Sequence, residues 1–226
     1  MHAVLSAARI TGADAIHPGY GFLSENYEFS EMCAQCGITF IGPNISCLKS
    51  MGDKIESKKI AKDANVQNLE PIYVNELDEK NVTAAVLKMG LPVLIKASAG
   101  GGGRGMKKIE IIDELLSSID LLKQESQNAF GDDTLFIEKF VGNPRHIEIQ
   151  ILADKHGNIR HLGERDCTIQ RRFQKVLEES PSPVIDDKTR AEMCQASIRL
   201  SEKVLYDSVG TVEFLYDLDD SKFYFM

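Results

Sequence analysis

Three stretches of this 226-residue sequence carry residue types that could do chemistry. The first is Lys96-Ala97-Ser98-Ala99-Gly100-Gly101-Gly102-Gly103-Arg104-Gly105-Met106. Backbone N–H groups of bare glycine can fold over phosphate oxygens, and a nearby lysine, here Lys96, neutralises their charge. Gly100, Gly102 and Gly105 formally satisfy G-x-G-x-x-G. A dinucleotide fingerprint must open a helix, however, and the pattern here predicts a strand on each side. A P-loop fails too, because no Gly-Lys-Ser/Thr follows. Four consecutive glycines cost conformational entropy on folding, which favours a phosphate-covering flap over a plain surface hairpin.

The second stretch, Glu164 to Lys175, gathers Arg165, Arg171, Arg172 and Lys175 in an otherwise acidic chain. Such a cluster suits an oxyanion such as phosphate or bicarbonate. From patterning alone, a solvated charged hairpin explains it equally well. The third is Glu213 between Val212 and Phe214. A carboxylate turned inward is costly unless it holds a metal or a cation, and Mg²⁺ at nucleotide phosphates takes one or two carboxylates. On position alone, an exposed strand-face glutamate is the more ordinary reading. Cys33-x-x-Cys36 resembles a redox or zinc half-site, but both thiols fall on an apolar helical stripe and no second pair exists, so they read as core. His17, before Pro18-Gly19, has no partner cluster and is not read as a metal ligand.

The elements that must position these groups follow from periodicity. Residues 3–10 end a helix, 14–17 form a short strand, and Phe29, Met32, Cys33 and Cys36 mark a second helix. A strand follows over 38–41, and Pro43 opens a short helix. Asp53 and Glu56 form a capping pair for a helix over 54–63. The pattern breaks over 64–72, which places a domain boundary there. Beyond it come a helix (78–89), strands (93–97 and 107–112), a helix capped by Asp113 and closed by Gly131, and a strand (135–140). His146-Ile147-Glu148-Ile149-Gln150-Ile151 alternates strictly, so His146, Glu148 and Gln150 share one face and three isoleucines the other. A hairpin through 154–162, a helix over 187–205 with Met193, Ala196, Leu200 and Val204 inward, and strands at 211–216 and 222–225 complete the pattern.

Composition is that of an ordinary globular chain: 43% hydrophobic, 27% charged, net charge −8. The acidic balance argues against a nucleic-acid partner. No apolar stretch approaches a membrane span, and the first residues lack the pattern of a secretory signal. Five cysteines without a dense framework suit a reducing compartment. The glycosylation-type triplets at Asn44 and Asn81 then read as chance matches.

Seven ordered blocks together resemble the biotin carboxylase family: HPGYGFLSEN at 17–26, FIGP at 40–43, MGDK at 51–54, IKASAGGGGRGM at 95–106, EKFVGNPRHIEIQ at 138–150, ERDCTIQRRFQKV at 164–176 and GTVEFLYD at 210–217. The resemblance runs through the whole chain. It implies an α/β (α+β) ATP-grasp fold with a partial Rossmann-like N-terminal domain. Residues 1–65 would be that domain, 66–140 the lid subdomain and 141–226 an incomplete catalytic subdomain.

It also implies roles. Lys54 and Lys96 would bind ATP phosphates under a flap of Gly101, Gly102 and Gly103. Glu138, Lys139 and the backbone at Val141 would hold adenine. His146 and Gln170 would face ribose or phosphates, Lys175 and Arg172 would act on bicarbonate or carboxyphosphate, and Glu213 would ligate Mg²⁺ (or Mn²⁺). The reaction so implied phosphorylates bicarbonate with ATP and carboxylates biotin on a biotin carboxyl carrier domain, the first half-reaction of an acyl-CoA carboxylase. A carboxyltransferase subunit would be a partner, a homodimer the assembly, and the cytoplasm or mitochondrial matrix the location. Other ATP-grasp ligases, of carbamoyl-phosphate or purine-pathway type, or a non-catalytic nucleotide-binding fragment, are the alternatives.

Two departures stand out. Phe173 occupies a position where the family has His or Asn, and the family's Glu-Met-Asn block falls beyond Met226. The family also has a βαβ unit before the helix at Met1–Ile10. The expectation is a chain cut at both ends that binds nucleotide weakly and turns over little.

Overall fold

The computed structural model describes residues 1–100 and 104–226. By internal contacts these divide into two compact units. The first holds Met1–Val66, Glu148–Arg165 and Ser180–Glu213; the second holds Gln67–Ile147, Asp166–Glu179 and Phe214–Met226.

In the first unit, α1 (His2–Thr11), β1 (Ala15–Ile16), α2 (Tyr27–Gln35) and β2 (Thr39–Phe40) form a small αβαβ segment, with β1 and β2 parallel. Leu5, Ala8, Phe29, Cys33 and Ile38 make its core. Asn26 caps α2 by accepting from the Phe29 amide at 2.7 Å. The expected apolar stripe is cut short: α2 ends at Gln35, so Cys36 becomes its exposed C-cap while Cys33 is buried. The cysteines form no disulfide among the described residues. Helix α3 (Ile45–Gly52) is opened by Asn44, not Pro43, because the Asn44 side chain accepts from the Cys47 amide at 2.8 Å. In α4 (Lys54–Asp63) the Asp53 half of the capping pair is present, accepting from the amides of Ile55 and Glu56. Helix α7 (Asp187–Lys203) is capped by Asp186 and buries Met193, Ala196 and Leu200. It stops at Lys203, so Val204 lies past its end, half-buried.

In the second unit, β3 (Ile72–Tyr73), β4 (Val93–Ala97), β5 (Met106–Ile109) and β6 (Leu135–Lys139) form a sheet in the order β3-β6-β4-β5. Helices α5 (Glu79–Met89) and α6 (Leu115–Phe130) cover one face. Val93, Ile95, Ala97, Leu135 and Ile137 bury there against Val82, Val86, Leu115, Ile119 and Leu122. Fully burying each valine, leucine or isoleucine among them contributes about 1.5–3 kcal/mol. Asp113 does not cap α6: residues Ile112–Glu114 form a 3₁₀ turn, and the helix starts at Leu115 without a side-chain cap. Strand β5 is also shorter than its apolar pattern, ending at Ile109.

The glycine-rich stretch links two antiparallel strands, β4 and β5, as the pattern required. Gly101, Gly102 and Gly103 lie outside the described residues. At Gly100 a Cβ would come within 2.6 Å of the Arg104 carbonyl, and at Gly105, where φ is +69°, within 2.8 Å of Ala97 Cβ. Those two glycines therefore serve the hairpin itself, a structural reason that the entropy argument overlooked.

The long strands β7 (Pro144–Ala153), β8 (Ile159–Arg171), β9 (Gln174–Glu179), β10 (Ser208–Asp217) and β11 (Lys222–Phe225) pair in the order β11-β10-β7-β8-β9. Ile147, Ile149 and Ile151 are all buried, as the alternation demands. Strand β9 was not foreseen: all six of its residues are exposed, so it has no apolar alternation to read. No helix among the described residues is long and apolar enough to cross a membrane.

Candidate functional site

Take first the face of the β4–β6 sheet that is turned away from the helices. Strand pairing sets Leu94 opposite Glu138 and Lys96 opposite Phe136. Lys96 and Glu138 are thus diagonal neighbours on the face away from the helices. The Lys96 ammonium donates to Glu138 Oε2 at 2.6 Å, with Glu138 1% exposed. A buried carboxylate needs such a partner. Lys108 shares this face, its ammonium 4.4 Å from the centre of the Phe140 ring. Lys139 points the other way. Its ammonium donates to the carbonyls of Gly90 and Leu91 at 2.8 and 3.1 Å, at the end of α5. Val141, just beyond β6, is buried.

A second grouping in the same unit joins three other residues. The Gln170 amide donates to His146 Nδ1 at 2.6 Å and to the Cys167 carbonyl at 2.9 Å. Lys175 lies directly across the β8–β9 pair from Gln170. The turn between these strands is Arg172-Phe173, flanked by the pair Arg171 and Gln174. Both turn residues have positive φ, 53° and 62°. Two-residue hairpins need this left-handed conformation and normally use Asn-Gly. Arg172 and Lys175 are exposed, as is the tip residue Phe173.

Beside them, Asp166 is buried and accepts from Thr168 and from Arg145 Nε at 3.0 Å. Burial opposes its charge, but the hydrogen bonds from Thr168 and Arg145 outweigh this and hold the carboxyl below the usual aspartate range.

In the first unit Lys54 is the opening residue of α4, where it is half-buried. Glu213 is half-buried on β10, on the face opposite the buried Val212 and Phe214. It does not enter that apolar face; it stands among Thr211 and Leu215 on the other. Its oxygen donors suit a hard cation such as Mg²⁺.

Patterning gave no role to several charged groups here. Arg165 was grouped with the cationic hairpin, yet its guanidinium binds Glu148 through Nε at 2.6 Å and Gln150 at 3.1 Å. Glu164, 3% exposed, accepts from Arg190 Nε at 2.7 Å and from the Ser182 amide at 3.1 Å. Burial again works against the charge, and Arg190 with the backbone donors wins, lowering the Glu164 carboxyl. The signal for Glu148 was present in the β7 alternation; nothing local to the sequence pointed to Arg190. His17 Nδ1 accepts from the Gly19 amide, a local turn contact.

The helix-backed sheet with its glycine hairpin and the five-stranded sheet define the class, an ATP-grasp fold. Residues 53–226 match the family model for the carbamoyl-phosphate synthase L chain ATP-binding domain, and residues 1–48 match the biotin carboxylase N-terminal domain. The chain belongs to the biotin carboxylase family.

It is 50% identical over 224 residues to the propionyl-CoA carboxylase alpha chain of Ruegeria pomeroyi, covering 99% of this chain and 33% of that one. It is 46% identical to biotin carboxylase 1 of Bacillus subtilis, covering 99% and 50%. Among solved structures, the biotin carboxylase–β-γ-ATP complex from Campylobacter jejuni superposes with a TM-score of 0.92 at 42% identity, covering 99% and 50%. The biotin carboxylase domain dimer of Hydrogenobacter thermophilus 2-oxoglutarate carboxylase, solved with MgADP, ADP and bicarbonate, gives 0.90 at 41%, covering 99% and 49%. The chain thus spans about a third to a half of the length of these relatives.

Proposed function

We propose that this chain forms the nucleotide-binding part of an ATP-dependent biotin carboxylase, a ligase that activates bicarbonate as carboxyphosphate and carboxylates biotin on a carrier domain. The observation that carries the reading is the convergence, within one unit, of Lys96 on Glu138 and of Gln170 on His146 and across from Lys175. Each is a group that phosphoryl transfer needs for positioning and charge neutralisation.

In this reading Lys96 and Lys54 neutralise the phosphates, and Gly101, Gly102 and Gly103 serve as the flap. Glu138 orients Lys96. Lys139 contributes its main chain to adenine, because its ammonium is already held by Gly90 and Leu91. The peptide at Val141 extends that edge. His146 and Gln170 orient the ribose or phosphate oxygens, and Lys175 and Arg172 gather bicarbonate. Glu213 would hold Mg²⁺, which when bound draws charge from the phosphate oxygens.

Residues 1–65, 66–140 and 141–226 serve as N-terminal domain, lid and catalytic subdomain. A carrier domain, a carboxyltransferase subunit and a homodimeric assembly complete the enzyme, in the cytoplasm or the mitochondrial matrix; the relatives include bacterial and mitochondrial proteins. A carbamoyl-phosphate-type ligase shares the model matched over 53–226, but the match over 1–48 favours biotin.

Equilibrium binding of ATP with Mg²⁺ tests this. Lys96→Ala or Glu213→Gln should weaken binding about tenfold or more, the worth of a charge-assisted contact. Binding indifferent to both substitutions in folded protein would refute the reading. A chimera of this chain with the remaining half of Bacillus subtilis biotin carboxylase 1 should cleave ATP faster with bicarbonate and biotin.

A further inference from the structure

The loop between α7 and β10 is held in a strained conformation. Leu205 and Ser208 have φ of 51° and 75°. Entering this left-handed region costs an L side chain about 1–2 kcal/mol. Such backbone persists only where its surroundings over-determine it.

Three sets of ties do so here. The Tyr206 amide donates to the Ser201 carbonyl at 2.9 Å, and the Tyr206 hydroxyl to the Val209 carbonyl at 3.1 Å. A Cβ at Gly210 would overlap that hydroxyl, so glycine leaves it room. The Gln150 amide donates to the Gly210 carbonyl at 2.8 Å, pinning the start of β10.

The third set comes from 161 and 163 residues away in sequence. Asn44 Nδ2 donates to the Leu205 carbonyl, and the Asn44 amide to Asp207 Oδ1, both at 2.7 Å. Asn44 Oδ1 meanwhile stays on the α3 cap. The loop runs into β10, where Glu213 stands three residues past Gly210.

We infer that Asp207 is a positioning residue: by gripping the Asn44 backbone, its carboxylate fixes the loop Leu205–Gly210 and so the attitude in which β10 presents Glu213. The latch ties α3 to the strand that carries the proposed metal ligand. Its second half rests on the reading of Glu213 given above. The latch leaves no polar group of Asn44 idle, since its amide, its side chain and, through the Leu48 amide, its carbonyl are all engaged within the fold. Cys47 reports on the same contact. Burial first, then the Asp207 carboxylate, push its thiol up to about 12, and it is 2% exposed.

Asp207→Ala removes the acceptor and leaves the α3 cap intact; Asp207→Asn restores an acceptor. Two readouts are compared on the full chain. Amide hydrogen exchange over 205–213, with peptide-level alkylation of Cys47, reads the latch. Binding of Mn²⁺ with ATP, against ATP alone, reads Glu213. Asp207→Ala should speed exchange and alkylation and weaken Mn²⁺-dependent binding about tenfold, the lower end for one hydrogen bond to a charged group. Asp207→Asn should restore both, and metal-free ATP binding should stay put.

Unchanged exchange and alkylation in Asp207→Ala would overturn the latch. Faster exchange with unchanged Mn²⁺ binding would overturn the positioning of Glu213. Mn²⁺ binding that is absent from the wild type, or indifferent to Glu213→Gln, would instead overturn the metal reading, while the exchange arm still decides the latch.

Discussion

Lys96 and Lys175, both proposed above to meet anionic oxygens, sit in opposite physical surroundings. Lys96 lies mid-strand in a helix-backed sheet and is bound to a carboxylate that is 1% exposed. Lys175 lies on an edge strand with no buried residue, two positions from a turn whose two central residues are left-handed. The first arrangement holds a charge in place through packing, and that charge also serves the fold. The second carries it on an exposed strand beside a left-handed turn, where a side chain packs against little. A site can thus combine a cation that the protein needs for folding with one it can spare.

The largest expected effect is at the β4–β6 face. Glu138→Ala leaves Lys96 without its carboxylate and should destabilise the chain by about 3 kcal/mol in urea denaturation, the lower end for breaking a buried pair. Lys96→Ala should do the same, and the double variant should cost less than the sum of the two. Additive costs would break the contrast by showing that the pair is not coupled.

Next, Arg145→Ala should cost about 2 kcal/mol by stripping a charged donor from Asp166. The pH profile checks the cause. Asp166 and Glu164 both have carboxyls held low in the folded state. Below their unfolded values of roughly 3.9 and 4.3, the unfolded chain binds more protons than the folded one, so stability falls as pH drops through that window. Above it their contribution is fully present. Arg145→Ala and Arg190→Gln should each flatten the acid limb, and an unchanged limb would rule out these carboxylates as its source.

At the hairpin the sign reverses. Arg172→Gly should stabilise by about 0.5–1 kcal/mol by releasing left-handed strain, while weakening any bicarbonate-dependent signal. Smallest of all, Lys175→Ala should shift stability by less than about 0.5 kcal/mol, as exposed positions do. A large loss there would erase the distinction between the two lysines.

The same contrast explains what the sequence made legible. The β7 isoleucines, the cap at Asp53 and the strand–strand setting of the glycines were readable because each is local: a period, a spacing, a flanking pattern. Lys96 and Glu138 were each picked out, but not as a pair. They are 42 residues apart, and only the β4–β6 register makes them diagonal neighbours. Arg190 and Glu164 escaped for the same reason. Strand β9 has no buried face to leave a period. Misreadings at Pro43 and Asp113 came from trusting a helix-starting residue type where Asn44 and a 3₁₀ turn set the helix start. Arg165 looked like part of a cationic cluster because sequence adjacency cannot say which way a β-strand side chain points.

The tether of Lys139 to the end of α5 has a consequence for how a base preference could change. With that ammonium spent on two carbonyls, a purine edge docking along residues 139–141 would be read by peptide groups alone. Peptide groups are the same whatever the side chain, so point mutation cannot easily rewrite their lettering. Drift toward another nucleobase would have to bend the main chain itself, a slower route than swapping a side chain.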